Sequence, residues 1–533
     1  MGERIIVLGA GYGGILTAKK LANKFKNRSE MEITIIDKNP YHTMRTELHE
    51  IAADRVEETS IRIDLKKVFD KRNVDVVLDE ITDVDLKRQV LTSKSKRYEY
   101  DYLVVGTGSK PTFFGIDGAE ENSFTLWTYE DAVKIKEQIL NMFRSAAKET
   151  DANARRKMLS FVVVGGGFTG VEMMGELGEW KDRLCTDFHI DRSEVTLYLV
   201  DALPTILPIY PEGLRKKAES KFKELGVGII TGEGITKVTD DSVQLGDHRT
   251  IEANTVIWTA GVQGSTLVET LDVEKQGRNR IVTNDKLQAV EYPNVYVVGD
   301  NIFYTVEGQE RPVPQMVENA EHSAPLVAKN IFRSVKGQEQ KPYKASFHGS
   351  MVCIGSKYGL AHMGLPGKFF GVSGFFAMFC KHFINLVYFI QVAGINKCWS
   401  YMLHEFVYVQ DDRSFLGGHF SKKAPNFWLT PLRIAIGISW FQYGFVNDQL
   451  LEMIVGLLLT LGLLTTLTSF GAIAILLSGT GVPFANQVLG ICASIALIGG
   501  SGSSLGLDYY FLGAIKKSWK KIGFVKKYYL FVD

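Results

Sequence analysis

At 533 residues the chain is too long for one hydrophobic core, and two to four domains are expected. Lysine and arginine total 61 against 60 acids, a net charge of +1 that offers no electrostatic footprint for nucleic acid. The five cysteines, at 185, 353, 380, 398 and 492, contain no C-x-x-C pair. A zinc or dithiol site is therefore not expected, and the thiols read as small packing residues in a reducing compartment.

The chain opens on a buried strand over residues 5–8, a turn Gly9-Ala10-Gly11-Tyr12-Gly13-Gly14, a helix over residues 15–25, and a second strand, residues 33–36, ending in Asp37. Each part has a task in holding a dinucleotide. Gly9 permits the tight turn, Gly11 admits a pyrophosphate, and Gly14 lets helix and strand pack closely. The helix N-terminus offers free N–H groups, and Asp37 stands where a carboxylate accepts a ribose hydroxyl. Residues 1–4 are charged and glycines interrupt the apolar run, so no cleaved leader is expected. Lys38 and Thr46, on the polar loop beyond Asp37, can reach a cofactor lying across this sheet, whereas His42 and Arg45 read as ordinary loop residues. A strand over residues 100–105 then ends in the small-residue turn Gly106-Thr107-Gly108-Ser109.

A second fingerprint repeats the first. A strand over residues 161–164 leads into Gly165-Gly166-Gly167-Phe168-Thr169-Gly170, a helix follows, and the next strand, residues 195–200, ends in Asp201. An acid there accepts both ribose hydroxyls of NADH and repels the 2′-phosphate of NADPH. Two complete units imply two dinucleotides, a flavin and a nicotinamide, facing each other. Residues 253–261 end in Thr259-Ala260-Gly261, and residues 294–300 form a strand ending in Asp300. Asp300 is either a ligand for a ribityl chain or a helix cap.

With these residues in place the chain resembles the type II NADH:quinone oxidoreductases, members of the two-dinucleotide-domain flavoprotein superfamily. The resemblance rests on Gly9–Gly14, Thr107-Gly108, Gly167-Phe168-Thr169-Gly170-Val171-Glu172, Asp201-Ala202 with Ile206-Leu207-Pro208, Thr259-Ala260-Gly261-Val262 and Val298-Gly299-Asp300. It covers roughly residues 1–420. It implies FAD bound non-covalently at Gly9, Ala10, Gly11, Tyr12, Gly13, Gly14, Asp37, Lys38, Thr46, Thr107, Gly108, Asp300, Val317 and Lys381. It places NADH at Gly165, Gly167, Thr169, Gly170, Asp201 and Gly261. It also implies two-electron reduction of a membrane quinone of the menaquinone type, without proton pumping, from the cytoplasmic face of the membrane. Glu172 matches a glutamate near nicotinamide and quinone. Where the family has a Gln-x-x-x-Gln pair at the quinone, this chain has Glu318 and His322. At spacing i, i+4 they share a helix face, either supplying the protons a quinol requires or standing as a solvent-exposed pair.

The expected fold is α/β, with two Rossmann-like dinucleotide-binding domains followed by an α-helical membrane domain. The FAD domain is discontinuous, residues 1–112 and 283–335, around an NAD(H) domain at 113–282. Residues 336–420 form a docking region, within which residues 369–408 are too mixed to span and read as interfacial helices or as core and dimer contacts. No Asp, Glu, Lys or Arg occurs between Met453 and Leu507, and apolar segments at 432–446, 450–464, 467–477 and 487–500 suggest four crossings over residues 428–512. Residues 450–477 forming one long helix is the alternative. This module loosely resembles the DoxX-like membrane family through its Gly-rich helices, and its four charges, Arg433, Asp448, Glu452 and Asp508, are expected at segment ends. A basic linker at residues 422–425 and a lysine-rich tail at 513–533 place both ends of the module in the cytoplasm. A homodimer and a dedicated membrane electron-transfer partner stay open. So do three competing readings. One is a sulfide:quinone oxidoreductase using Cys185 and Cys353, one is an electron-transfer subunit docked by its membrane module, and one is a non-enzymatic dinucleotide sensor. A disulfide reductase needs paired cysteines near the flavin, and none occurs before Cys185.

Overall fold

The computed structural model describes residues 3–26, 31–365, 368–409, 413–414, 426–478 and 484–519. The basic linker at 422–425 and the tail beyond 519 lie outside the described residues. The chain divides into two units, Met1–Tyr401 and Met402–Asp533.

The first unit begins with β1 (Glu3–Leu8), α1 (Tyr12–Lys24), β2 (Met31–Asp37), the short α2 (Leu48–Ala52), β3 (Asp75–Leu78) and β4 (Tyr102–Val105). The chain then builds a second sheet from β5 (Phe124–Thr125), β6 (Ser160–Val164), β7 (Thr196–Asp201), β8 (Val227–Thr231) and β9 (Thr255–Trp258), with α3 (Phe168–Phe188) after β6. It returns to the first sheet through β10 (Gln288–Ala289) and β11 (Tyr292–Val297), and α4 (Val317–Val335) follows. The sheet orders are β10-β11-β4-β1-β2-β3 and β5-β9-β6-β7-β8. All neighbours are parallel except the β10–β11 pair. Strands such as Ser160–Val164 are buried at every position, as a parallel sheet covered on both faces requires. The strand-order reversal in each sheet leaves a crevice at the C-terminal strand ends, where both glycine turns lie.

Three antiparallel strands, β12 (Gly349–Cys353), β13 (Gly359–Leu365) and β14 (Lys368–Gly374), lead into α5 (Phe375–Val392). This helix has two contrasting faces. Ala377, Met378, Lys381, His382, Asn385, Tyr388, Phe389 and Val392 are buried, whereas Phe376, Phe379, Phe383, Val387 and Ile390 are exposed, Phe376 to 70%. Lys19 of α1 closes the helix end, donating to the carbonyls of Gln391 at 2.7 Å and Val392 at 2.6 Å. Among the described residues α5 alone is long and apolar enough to cross a membrane. The sequence had read this stretch as too mixed to span. The difference arises because Lys381, His382 and Asn385 fall on one face and leave the other apolar as far as Ile390.

The second unit carries α6 (Thr430–Val446), α7 (Leu450–Leu461), α8 (Thr465–Leu477) and α9 (Phe484–Ile498), one for each expected segment. The long-helix alternative for residues 450–477 is not seen, because Gly462 and Leu464 take left-handed backbone (φ +65° and +49°) and break the run. The Asp508 carboxylate accepts the N–H groups of Leu464 at 2.5 Å and Thr465 at 2.8 Å, filling the start of α8. Arg433 is fully buried and donates to the carbonyls of Ser501 (2.9 Å) and Leu505 (3.0 Å). Arg433, in the first turn of α6, and Asp508, the first residue of a helix over Asp508–Trp519, stand at segment ends as expected, but both are buried and join loops where snorkelling was expected; Asp448, in the α6–α7 bend, is exposed. A Cβ at Gly437 would lie 2.6 Å from the Thr460 backbone N, so glycine sets the close approach of α6 and α7. With 17, 12, 13 and 15 residues, the four helices fall below the roughly twenty residues of a comfortable span. Multi-pass topology is therefore not established by their length.

Candidate active site

The two glycine turns are built alike. Gly9 and Gly165 have φ of +95° and +108°, which a side chain resists. A Cβ on Gly14 would collide with the Gly9 carbonyl oxygen, and one on Gly170 with that of Gly165. By contrast, Gly167 has nothing within 4 Å of an added Cβ, and Gly11 meets only the Gly106 oxygen at 3.9 Å. Neither α1 nor α3 has a side-chain cap, so their first N–H groups stay available to an anion. Asp37 accepts the Ala10 N–H at 2.6 Å and the Asn39 N–H at 2.8 Å. Asp201 repeats this with Gly166 at 2.5 Å and Leu203 at 2.7 Å. Each acid expected at a ribose thus also ties its own turn.

Around the first turn, Tyr12 bonds Thr46 (3.2 Å) and packs edge-on against His42, with ring centroids 4.9 Å apart. His42 is buried between the Ala10 carbonyl (2.9 Å) and the Tyr388 hydroxyl (2.8 Å); burial lowers its pKa to about 4, so the imidazole is neutral. The loop reading of His42 is thereby corrected. Asp300 accepts the Ser109 hydroxyl at 2.6 Å, and burial raises its pKa. Thr107 bonds Ser265 and Asn301, and Gly13 lies against Val298. Gly108 is left-handed beside the Arg45 guanidinium. Lys38 points away, exposed and 3.8 Å from Glu80. In the second half Gly261 is left-handed against Phe114, and Thr169 is exposed at the start of α3.

Glu172, on α3, reaches a buried polar cluster that the sequence did not announce. Gly175 makes this possible: a Cβ there would lie 2.6 Å from the Gly355 N, so only glycine lets α3 seat against the end of β12. Cys353 then presents its N–H to Glu172 at 3.3 Å, and its Sγ lies 3.3 Å from His49 Nε2 and 3.6 Å from Lys381 Nζ. His49 Nδ1 is 3.6 Å from Glu172 Oε2. Lys381 pairs with Glu47 at 2.8 Å and Glu50 at 2.9 Å, and Arg55 pairs with Glu50 and Glu176. Asn385 links Glu47 (3.0 Å) to the Tyr401 hydroxyl (3.1 Å), which meets His382 Nδ1 at 2.8 Å. Burial raises the Glu172 carboxyl to about 8 and pushes the Cys353 thiol up, and it lowers His49 to about 3. At neutral pH Glu172 therefore carries a proton, Cys353 is a thiol and His49 is neutral. A raised thiol pKa is the opposite of what a nucleophilic cysteine needs.

A second cluster lies at the start of α4, where Val317 is the first residue and no side chain caps the helix. Glu318 Oε1 accepts both the His348 N–H (2.9 Å) and its ring Nδ1 (2.7 Å). His322 stacks on Phe347 (6.2 Å, 13°) and meets His348 edge-on at 5.9 Å. Neighbouring Glu321 is raised to about 7, first by burial and then by Glu318.

A family model described as pyridine nucleotide-disulphide oxidoreductase matches residues 3–324. The type II NADH:quinone oxidoreductase of Staphylococcus aureus (strain NCTC 8325 / PS 47) is 32% identical over 405 residues, 75% of this chain and 98% of the relative. The chain belongs to this family. It is therefore an oxidoreductase, of the type II NADH:quinone class. The solved structure of NDH2 from Plasmodium falciparum in complex with NADH matches in fold, with a TM-score of 0.67, 17% identity, and coverage of 76% of this chain and 97% of that one. The sulfide:quinone oxidoreductase of Aquifex aeolicus shares the fold too (TM-score 0.59, 21% identity, 73% and 92% covered).

Sequence reasoning named both turns, Glu172, Lys381, Glu318 and His322; the structure brings Glu172 and Lys381 to either side of Cys353 and sets Glu318 and His322 around His348. That reasoning missed His49, Glu47, Glu50 and His348, and read Cys353 as packing, or as a reactive thiol only in the sulfide:quinone oxidoreductase alternative. The available signal was three ionisable residues, Glu47, His49 and Glu50, crowded into a short apolar stretch, a pattern that needs partners if it is buried.

Proposed function

We propose that the chain oxidises NADH at the second turn and reduces a membrane quinone through FAD held at the first. The observation that carries this reading is the pair of matched glycine turns, one of them bordered by a buried ionisable cluster and by a helix with an exposed aromatic face. FAD, when bound, supplies hydride acceptance from NADH and electron delivery to the quinone. The residues fit such a group: Gly11 leaves room for its pyrophosphate, the N-terminus of α1 supplies N–H donors, and Asp37 and Asp300 offer carboxylates to its hydroxyls. Gly165, Gly167, Thr169, Gly170, Asp201 and Gly261 hold NADH. Glu172, protonated at neutral pH, holds a proton at its carboxyl for the reduced quinone, and Lys381 pairs with Glu47 and Glu50 beneath it. Glu318 and His322 line the quinone side and supply the second proton.

The exposed face of α5 docks on lipid and admits the quinone, of the menaquinone type, with no coupled proton pumping. In this reading α6–α9 are a DoxX-like module embedded in the cytoplasmic membrane, with local bilayer thinning absorbing their shortness, and the NADH-oxidising unit faces the cytoplasm. Their exposed Phe445, Val446, Leu450, Leu467 and Leu489 favour lipid contact. The module, alone or as a homodimer, serves a membrane electron-transfer partner. The deciding experiment purifies the full chain in detergent, identifies the released cofactor, and compares NADH with NADPH against quinone analogues of increasing tail length. Preference for NADH and for longer tails supports the reading, and indifference to both overturns it.

A further inference from the structure

Three groups of side chains in the first unit place donor atoms within 4.8 Å of one another in the manner of metal ligands: His49–Glu172–Cys353, Glu47–His49–Glu50 and Glu318–His322–His348. The first two are unsuited to a dication. Lys381 Nζ lies 3.6 Å from the Cys353 sulfur and within 2.9 Å of Glu47 and Glu50, and Arg55 already occupies Glu50. A cation entering there must displace resident positive charge in a closed interior.

Among the described residues the third group has no such occupant. Glu318 and His322 stand one turn apart on α4, and His348 comes from the segment that enters β12. Their donors are two imidazoles and a carboxylate, the set that holds zinc in open, three-ligand sites with a fourth position left for water. Phe347 stacked against His322 fixes that ring, and Glu318 fixes His348 through Nδ1. The 2.7 Å approach of Glu318 Oε1 to His348 Nδ1 marks the position a cation would take. The His348 side chain is 56% exposed and that of Glu318 17%, so a hydrated ion has access.

We propose that Glu318, His322 and His348 form a binding site for a divalent d-block cation of the zinc class, whose occupancy blocks quinone reduction while sparing NADH oxidation. The site itself stands on the donor geometry; its effect on turnover rests on the reading that Glu318 and His322 face the quinone.

The test uses the full-length, flavin-loaded protein in detergent. Co²⁺ is titrated and followed by its ligand-field absorption, then displaced with Zn²⁺. The two half-reactions are timed separately, flavin bleaching by NADH and re-oxidation by a quinone analogue. The expected result is a cobalt spectrum abolished by Zn²⁺, affinity lowered at least about tenfold in His348→Ala and in His322→Ala, and slower re-oxidation with Zn²⁺ in the parent but not in His348→Ala. Absence of the spectrum, equal affinity in the variants, or unchanged re-oxidation with the cation bound overturns the proposal. A flavin that NADH never bleaches overturns the enzymatic reading instead, while the cobalt spectrum still decides the site.

Discussion

The two nucleotide-binding turns share their glycines, their uncapped helices and their backbone-tethered acids, yet their surroundings differ. The first is enclosed by Tyr12, His42 and Tyr388, drawn from three separate segments, and its far side is walled by the polar face of α5. The second presents Gly167 and Thr169 to solvent, with the Phe168–Tyr210 ring pair alongside. In the function proposed above, turns built alike serve a resident group in one case and an exchanging one in the other. What separates cofactor from substrate is what the rest of the chain closes over each turn.

The sharpest way to break that comparison is the same substitution in both turns. Gly14→Ala forces a Cβ into the Gly9 carbonyl and is expected to give protein without flavin, read from its visible absorbance. Gly170→Ala meets the equivalent clash but should keep its flavin and lose NADH, with kcat/KM falling about a hundredfold, roughly 2.7 kcal/mol. If both variants lose flavin, or neither does, the distinction fails.

Next in size is Lys381→Met. Removing the ammonium leaves Glu47 and Glu50 buried beside it with fewer partners, and a cost of about 3–5 kcal/mol is expected in thermal or denaturant unfolding. An unchanged unfolding midpoint would show that the cluster is hydrated and not buried.

Glu172→Gln probes the edge where the two halves meet. Burial raises this carboxyl from 4.5 to about 8, so in the folded protein it keeps its proton where the unfolded chain has lost it. Its contribution to stability is full below pH 4.5 and declines as pH climbs to about 8. The quinone half-reaction should fall over the upper part of that window in the parent. Glu172→Gln should flatten both profiles and slow quinone reduction by about a hundredfold. A parent rate that rises through pH 8 would exclude the proton-holding role.

The smallest effect is expected for Cys353→Ser. The thiol is protonated and inert, so turnover should stay near the parent's and stability should shift by less than about 1.5 kcal/mol. Loss of activity would revive a sulfur-transfer reading in which Cys353 is a nucleophile.

The turns were legible in the sequence because strand, glycine spacing, helix and acid are consecutive, and their geometry is local. The four short helices of the second unit were legible for a similar reason, since uncharged apolar segments between glycines announce themselves. The cluster around Glu172 was not, because Glu47 and Lys381 are far apart in the chain and meet only when α5 folds back on α2. Beyond the crowding of Glu47, His49 and Glu50, its local trace was Gly175, whose need for a missing side chain becomes visible only once β12 lies against it. His348 was hidden likewise, being a loop residue until Glu318 captures it.

The most direct measurement of the central claim is anaerobic flavin absorbance on the purified, full-length protein. NADH added first should bleach the flavin band, and a quinone analogue added second should restore it, with NADPH doing neither at comparable rate. A band that persists with NADH, or that stays bleached when quinone is added, contradicts the account.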